Sequence, residues 1–160
     1  TPLRKCWMQR GQQTRIATPS GPQSFHHIIG ALDWYTAAVS YTLTTVKNSQ
    51  TFIEFLEHLM TNCYPTGGVV LVMDNAPYHR SAAVKAALSL YEHRLLVFWL
   101  PPYCPTLNPI ERFWRHLKDT ATANKLFLTI ENLLTNLEQM LIAQNQVEHP
   151  LRMSLNKLFT

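Results

Sequence analysis

The sequence predicts one α/β domain over residues 1–160, with a mixed sheet and helices on both faces. The first observation is a β-rich stretch over residues 25–33 and a returning stretch over residues 37–45, a pattern typical of a hairpin. The second is a pair of apolar runs at 69–73 and 95–100, which predict buried strands. A helical segment between these two runs indicates a crossover connection and therefore parallel pairing.

Helical periodicity appears in four segments, and the boundaries are set by capping residues. Thr51 and Glu54 have the spacing of a capping box, so the first helix is expected to start near them. The predicted helices cover residues 50–62, 81–90 and 109–123, with a last helix starting at a Thr129 cap.

Composition narrows the classes of function. The formal net charge of +4 and the isoelectric point near 9.1 suit a polyanionic partner, although many proteins are this basic. No apolar run approaches the about 20 residues that span a bilayer, so no membrane partner is expected. Cys6, Cys63 and Cys104 are widely spaced and odd in number, which favours a reducing cytoplasm over a disulfide framework or a zinc site.

Asp74 follows directly after the apolar run at 69–73. An acid in this position lies at the carboxyl edge of the sheet, where open α/β folds place their binding sites. The alternative is an ordinary turn aspartate.

A second candidate acid follows a rigid, proline-rich loop. In Asn108-Pro109-Ile110-Glu111, Asn is a favoured N-cap, Pro suits the first helical position and Glu suits the third. Glu111 is therefore either a capping-box partner or a metal ligand. Together with Asp74, it makes a metal-binding carboxylate pair the better interpretation.

Two motifs carry a family resemblance. VLVMDNAPYH and LPPYCPTLNPIERFWRHLK resemble the catalytic core of the DDE-superfamily transposases, above all the mariner-like bacterial insertion-sequence enzymes. The resemblance also covers residues 4–12, 30–33 and 124–134, so it takes in nearly the whole chain. The resemblance implies a ribonuclease H-like fold and metal-dependent DNA cleavage and strand transfer at transposon ends. It also implies Mg²⁺ or Mn²⁺ as cofactor and a bacterial, nucleoid-associated protein.

The resemblance also assigns roles within the site. It implies that Asp74 and Glu111 are the catalytic, metal-binding acids and that Asn75, His79 and Asn108 support them. His79 could instead make only a local hydrogen bond, and Asn108 could be only a cap. A further acid, Asp33, lies at a hairpin end, which favours a turn role over catalysis.

Basic and aromatic residues outside the acid pair are candidates for DNA contact. Lys and Arg neutralise backbone phosphates, but the alternative is that these cations only form a solvated surface. Tyr103 could stack on a base or only pack on the loop. The candidates are Arg4, Lys5, Arg10, Tyr103, Arg112, Arg115 and Lys118.

The family has three catalytic acids, and the first lies on a central strand ahead of the segment that matches residues 4–12. No Asp or Glu precedes Asp33 in this chain. The first acid, its strand and the DNA-end-binding domains are therefore expected to be absent. We expect weak metal binding, no activity of the chain alone, and two strand edges open to another chain.

Three functions remain open at this level. The first is a transposase catalytic core, acting on transposon ends and target DNA as a homodimer or with full-length transposase. The second is a non-enzymatic remnant that binds DNA or full-length transposase as a regulator. The third is a carboxylate nuclease of the same fold that cuts RNA in hybrids.

Overall fold

The computed structural model describes residues 26–102, 107–121, 127 and 129–146. The order of strands and helices confirms the predicted α/β class. The elements are β1 (His27–Leu32), β2 (Val39–Thr44), α1 (Ser49–His58) with a π-helical turn (Leu59–Cys63), β3 (Val69–Met73), a 3₁₀ turn (Pro77–Arg80), α2 (Ala82–Ser89), β4 (Leu95–Trp99), α3 (Pro109–Ala121) and α4 (Ile130–Asn145).

β1 and β2 form the predicted antiparallel hairpin, with Gly30 opposite Tyr41. Its tip is built on Asp33, whose Oδ1 accepts hydrogen bonds from the backbone N–H groups of Tyr35 (2.8 Å) and Thr36 (2.9 Å). Ala37 closes the turn with a φ of 58°, a conformation that non-glycine residues rarely adopt. The expected turn role of Asp33 is confirmed.

The hairpin tip is connected to the segment after α1 through Tyr64. The Tyr64 hydroxyl donates to Oδ2 of Asp33 at 2.9 Å. Burial and this bond to a carboxylate raise the pKa of Tyr64 to about 12. Burial alone would raise the pKa of Asp33, but the hydrogen bonds from Thr36, Tyr64 and Tyr35 outweigh it and lower that pKa.

α1 starts at a different cap from the predicted one. Asn48 is the N-cap: its side chain accepts from the Thr51 N–H at 2.9 Å, and the Thr51 hydroxyl accepts from the Asn48 N–H at 3.1 Å. The capping box predicted from Thr51 and Glu54 is therefore wrong by three residues. Because Asn is a stronger N-cap than Thr, the helix is capped by Asn48 rather than by Thr51.

β3 and β4 pair in parallel, with Val69 opposite Leu95 and Met73 opposite Trp99. The inner face of this sheet packs against α1 and α2, and Met73, Val84 and Leu95 are buried there. The outer face is exposed, so the prediction that both strands are buried holds for one face only. The exposed side chains are Val70, Val72, Leu96 and Phe98.

Within the described residues the strands form two separate two-stranded sheets, β1–β2 and β3–β4. The strand order predicted a single mixed sheet, whereas the described residues form two pairs of strands. The predicted lack of a central strand concerns residues ahead of His26, which lie outside the described part of the chain.

The chain divides into two compact units. One consists of residues 25–112 and holds all four strands, α1 and α2. The other contains α4 and the part of α3 from Phe113 onward, where Phe113, Leu117 and Leu141 are buried. The predicted Thr129 cap is confirmed, since its side chain accepts from the Asn132 N–H at 3.3 Å.

None of the helices in the described ranges is both long and apolar enough to cross a membrane.

The Asp33–Tyr64 bond should be visible in the pH dependence of stability. An unfolded tyrosine ionises near pH 10, whereas folded Tyr64 ionises near 12, so its neutral form stabilises the fold at lower pH. This contribution is fully present below pH 10 and is lost as pH rises toward 12. We expect Tyr64→Phe to lose about 1 kcal/mol of unfolding free energy at neutral pH and to flatten the alkaline decline, measured by urea unfolding.

Tyr35→Phe is the matched control because Tyr35 is 95% exposed. It should follow the wild-type curve. An alkaline decline of equal size in Tyr64→Phe and wild type would contradict the assignment.

Candidate active site at the carboxyl edge of β3 and β4

The two parallel strands bring distant parts of the chain to one edge. Parallel strands point their carboxyl ends in the same direction, so Asp74 after β3 and Leu100 after β4 lie side by side. The Leu100 N–H donates to the Met73 carbonyl at 2.8 Å. The Asn75 side-chain amide donates to the Leu100 carbonyl. Asn75 therefore fixes the start of the proline-rich loop against the segment that carries Asp74.

Asp74 is held in a defined orientation. Its Oδ1 accepts from the Ala76 N–H at 3.0 Å and lies 2.8 Å from Nδ1 of His79. The side chain is 46% exposed, and its second oxygen accepts no hydrogen bond from the described part of the chain. One carboxylate oxygen thus positions the group while the other can bind a ligand.

His79 is almost buried, with 11% of its side chain exposed. Its ring packs between the rings of Phe52 and Tyr78, with centroid distances of 4.4 and 4.2 Å. Burial lowers the pKa of His79 and outweighs the opposing effect of the Asp74 charge, so the ring is neutral at pH 7. Because a carboxylate only accepts, the single ring proton lies on Nδ1 and is donated to Asp74.

Tyr78 links the two candidate acids electrostatically. Burial raises the pKa of its phenol, and Lys47, with Nζ 5.2 Å from the ring centroid, opposes this. The negative charges of Asp74 and Glu111 both raise it further. Both carboxylates therefore oppose ionisation of the Tyr78 hydroxyl.

Glu111 lies in the first turn of α3, as predicted, and its side chain is exposed. Its N–H donates to the Asn108 carbonyl at 3.1 Å, so Asn108 is at the start of the helix. Both residues belong to the compact unit that contains Asp74.

The donor set is one of oxygens. No group of three or more His, Cys, Asp or Glu side chains in the described ranges could hold a metal ion. Two carboxylates are present, together with Oδ1 of Asn75, a buried acceptor that has no hydrogen-bond partner among the described residues. Mg²⁺ prefers oxygen ligands and keeps several waters, so it often needs only one or two carboxylates. In ligand chemistry alone, the carboxylates of Asp74 and Glu111 and Oδ1 of Asn75 are of the oxygen type that such an ion takes.

The predicted DNA contacts are only partly within the described structure. Arg4, Lys5, Arg10 and Tyr103 lie outside the described residues. Arg115 and Lys118 are exposed on α3 and Arg112 is half-buried.

Three residues of the site were not predicted: Phe52, Tyr78 and Lys47. Tyr78 lies inside a motif that was recognised, and it could have been found by asking what packs on His79. Phe52 is one of the buried apolar residues of α1, a pattern that indicates packing only, and Lys47 carries no local pattern. Both reach the site only because α1 begins beside it, where the Ser49 hydroxyl donates to the Tyr78 carbonyl at 3.1 Å.

Comparison with known proteins agrees with this geometry. Residues 1–134 match the family model described as DDE superfamily endonuclease. The insertion element IS630 uncharacterized 39 kDa protein from Shigella sonnei is 34% identical over 118 residues, covering 74% of this chain and 34% of the relative. The uncharacterized protein y4pE/y4sA from Sinorhizobium fredii is 28% identical over 67 residues, covering 42% of this chain and 46% of the relative. The chain thus spans between a third and a half of these relatives.

Solved structures show the same fold. The Mos1 transposase paired-end complex with left transposon end has a TM-score of 0.63 at 21% identity, covering 98% of this chain and 49% of that one. The Mos1 Strand Transfer Complex has a TM-score of 0.64 at 20% identity, again over 98% of this chain and 49% of that one. A simian T-cell lymphotropic virus intasome matches at a TM-score of 0.51 and 18% identity, over 70% of this chain and 41% of that one.

The predicted ribonuclease H-like class is confirmed by these transposase and integrase cores. Because the family model covers residues 1–134 of 160, the chain belongs to the DDE superfamily endonuclease family.

Proposed function

We propose that this chain is the catalytic core of a DDE transposase, and that Asp74 and Glu111 bind the divalent cation used to cleave and join DNA at transposon ends. The observation that carries the proposal is the fixed position of Asp74 at the carboxyl end of β3, where Oδ1 accepts from the Ala76 N–H and lies 2.8 Å from His79 Nδ1 while the other oxygen stays accessible. Asp74 is fixed by a neutral His79, and Glu111 extends from the first turn of α3.

Each group in the site has a distinct task. Asp74 uses Oδ1 for positioning and presents its second oxygen outward, and Glu111 supplies the other carboxylate. Asn75 Oδ1 would accept a hydrogen bond from a water molecule, and His79 holds Asp74 without cancelling its charge. The bound cation would stabilise negative charge on the phosphoryl oxygens and activate the attacking hydroxyl.

The relatives support the choice of substrate and cofactor. The Shigella relative is an insertion-element protein, and the Mos1 structures contain a transposon end, a strand-transfer complex and, in one case, Mn. We therefore propose DNA as the partner, Mg²⁺ or Mn²⁺ as the cofactor, and a bacterial, nucleoid-associated setting. The net charge of +4 is compatible with DNA binding.

These 160 residues contain no acid before Asp33, and Asp33 is committed to its turn and to Tyr64. The family resemblance implies three acids. We infer that cleavage needs a further acid from outside this sequence and that the chain alone does not cleave DNA.

Metal binding gives a direct test of the acid pair. Mn²⁺ titration followed by electron paramagnetic resonance should show weak binding to the wild type. Asp74→Asn and Glu111→Gln should each lower the affinity by about tenfold, because each removes one of two anionic ligands. Glu57→Gln is the control, since Glu57 is an exposed acid on α1. Unchanged binding in both site variants would contradict the site.

Activity can be tested by supplying the missing acid. A strand with its aspartate, taken from the Shigella relative, is added ahead of Thr1, and Mg²⁺-dependent nicking of supercoiled plasmid is measured. We expect nicking that falls by at least about a hundredfold in Asp74→Asn and in Glu111→Gln but not in Glu57→Gln. Nicking that survives Glu111→Gln would overturn the assignment of that residue.

If His79 positions Asp74, removing its hydrogen bond should lower metal affinity without lowering the stability of the fold. His79→Phe keeps a ring between Phe52 and Tyr78 but removes the hydrogen bond to Asp74. We expect its thermal unfolding temperature to stay near that of the wild type, while its Mn²⁺ affinity falls by up to about tenfold, the loss expected when Asp74 itself is neutralised. Equal affinities in a folded variant would show that His79 is only a packing residue.

A further inference from the structure

The outer edge of β4 carries backbone groups that are not used by the sheet. In the parallel ladder, β4 bonds to β3 through its even-numbered positions: the Arg94 carbonyl accepts from Val69, and the Leu100 N–H donates to Met73, both at 2.8 Å. The odd-numbered positions Val97 and Trp99 therefore point their N–H and C=O groups away from β3. In the described ranges these groups have no backbone partner.

This edge has none of the usual protection against pairing with another strand. Natural edge strands carry charges, proline or a bulge, whereas β4 reads Leu-Leu-Val-Phe-Trp and pairs with β3 in unbroken register. Beside it lies an open groove of about 600 Å³ between α2 and β4. An added strand would find both hydrogen-bonding groups and apolar surface there.

The groove is charged oppositely at its two ends. Arg80, just before α2, lies over the Trp99 ring at 5.9 Å, so the carboxyl end of β4 is basic. Lys85 adds a second cation on the first turns of α2. Glu92, after α2, is the acidic residue among those that line the groove and lies near the amino end of β4. Arg94, which directly precedes β4, does not line the groove, because its guanidinium donates to the carbonyls of Tyr64 and Met60.

We propose that two copies of this chain associate through their β4 edges, antiparallel about a two-fold axis at Val97. In that arrangement each Val97 exchanges both backbone hydrogen bonds with its counterpart. Each Leu95 carbonyl accepts from a Trp99 N–H across the axis, since the Leu95 N–H already donates to Tyr91 at 2.7 Å. The acidic end of each groove then meets the basic end of the other.

The charges that line the groove favour a second copy of the chain over a DNA strand as the binding partner. A DNA strand would be attracted by Arg80 and Lys85 but repelled by Glu92, and it would leave the alternating N–H and C=O groups of β4 unmatched. A two-fold dimer matches both, because its interface must be complementary to itself. The inference is independent of the proposed catalytic function, since it uses neither Asp74 nor Glu111.

Sedimentation velocity over a concentration series tests the dimer through its charges. Lys85→Glu and Glu92→Lys should each raise the dissociation constant of the dimer by about tenfold or more, because the two-fold axis repeats each like-charge contact. The double variant restores opposite charges and should return to within about threefold of the wild type. A wild-type chain that stays monomeric, or single variants that dimerise like the wild type, would overturn the proposal.

A backbone variant tests the strand pairing itself. Val97→Pro removes an N–H that β3 does not use and should abolish the dimer, whereas Val97→Thr keeps the N–H and the branched side chain and should retain it. Circular dichroism reports whether Val97→Pro is folded, and if it is not, the charge-reversal variants alone decide. Dimerisation of a folded Val97→Pro variant would exclude the β4 edge.

Loss of single-stranded DNA binding in Lys85→Glu with no wild-type dimer would assign the groove to DNA and overturn the proposal.

Discussion

The parallel pairing of β3 with β4 is the constraint on which the candidate site depends. It brings Asp74 and Leu100 to one edge although 26 positions separate them, since 100 minus 74 is 26. The Asn75 amide then joins the two strand ends through the Leu100 carbonyl. The proline-rich loop therefore leaves the sheet from a fixed point beside Asp74, and α3 follows that loop with Glu111 in its first turn.

Within the site, His79 is buried and positions Asp74, whose side chain is partly exposed and accessible to a ligand. His79 is enclosed by Phe52 and Tyr78, so its ring stays neutral and serves as a rigid donor. Asp74 receives that donor on one oxygen and leaves the other accessible. A buried cation next to Asp74 would have formed an ion pair and reduced the charge that a metal ion needs. The neutral imidazole positions the carboxylate and preserves its charge.

Local patterns predicted most of the secondary structure and the identity of the candidate acids. The hairpin, β3, α2, β4, α3 and the Thr129 cap follow from propensity, periodicity and capping, which act within a few residues. The start of α1 was predicted to within one residue, but its N-cap was predicted wrongly because two capping patterns overlap there, and Asn48 is the stronger cap. Whether a strand is covered on both faces depends on what packs over it, so the exposed outer face of β3 and β4 could not be predicted.

The sequence by itself determined which acids are the candidates for metal-dependent chemistry: one directly after an apolar strand, and one in the first turn of a helix that follows a proline-rich stretch. Tertiary structure decided how these residues are supported. Lys47 and Phe52, from the region where α1 begins, reach the site only through the packing of α1 beside the sheet. The charge and solvation of His79 and Tyr78 follow from this packing, because desolvation depends on neighbours that are distant along the chain.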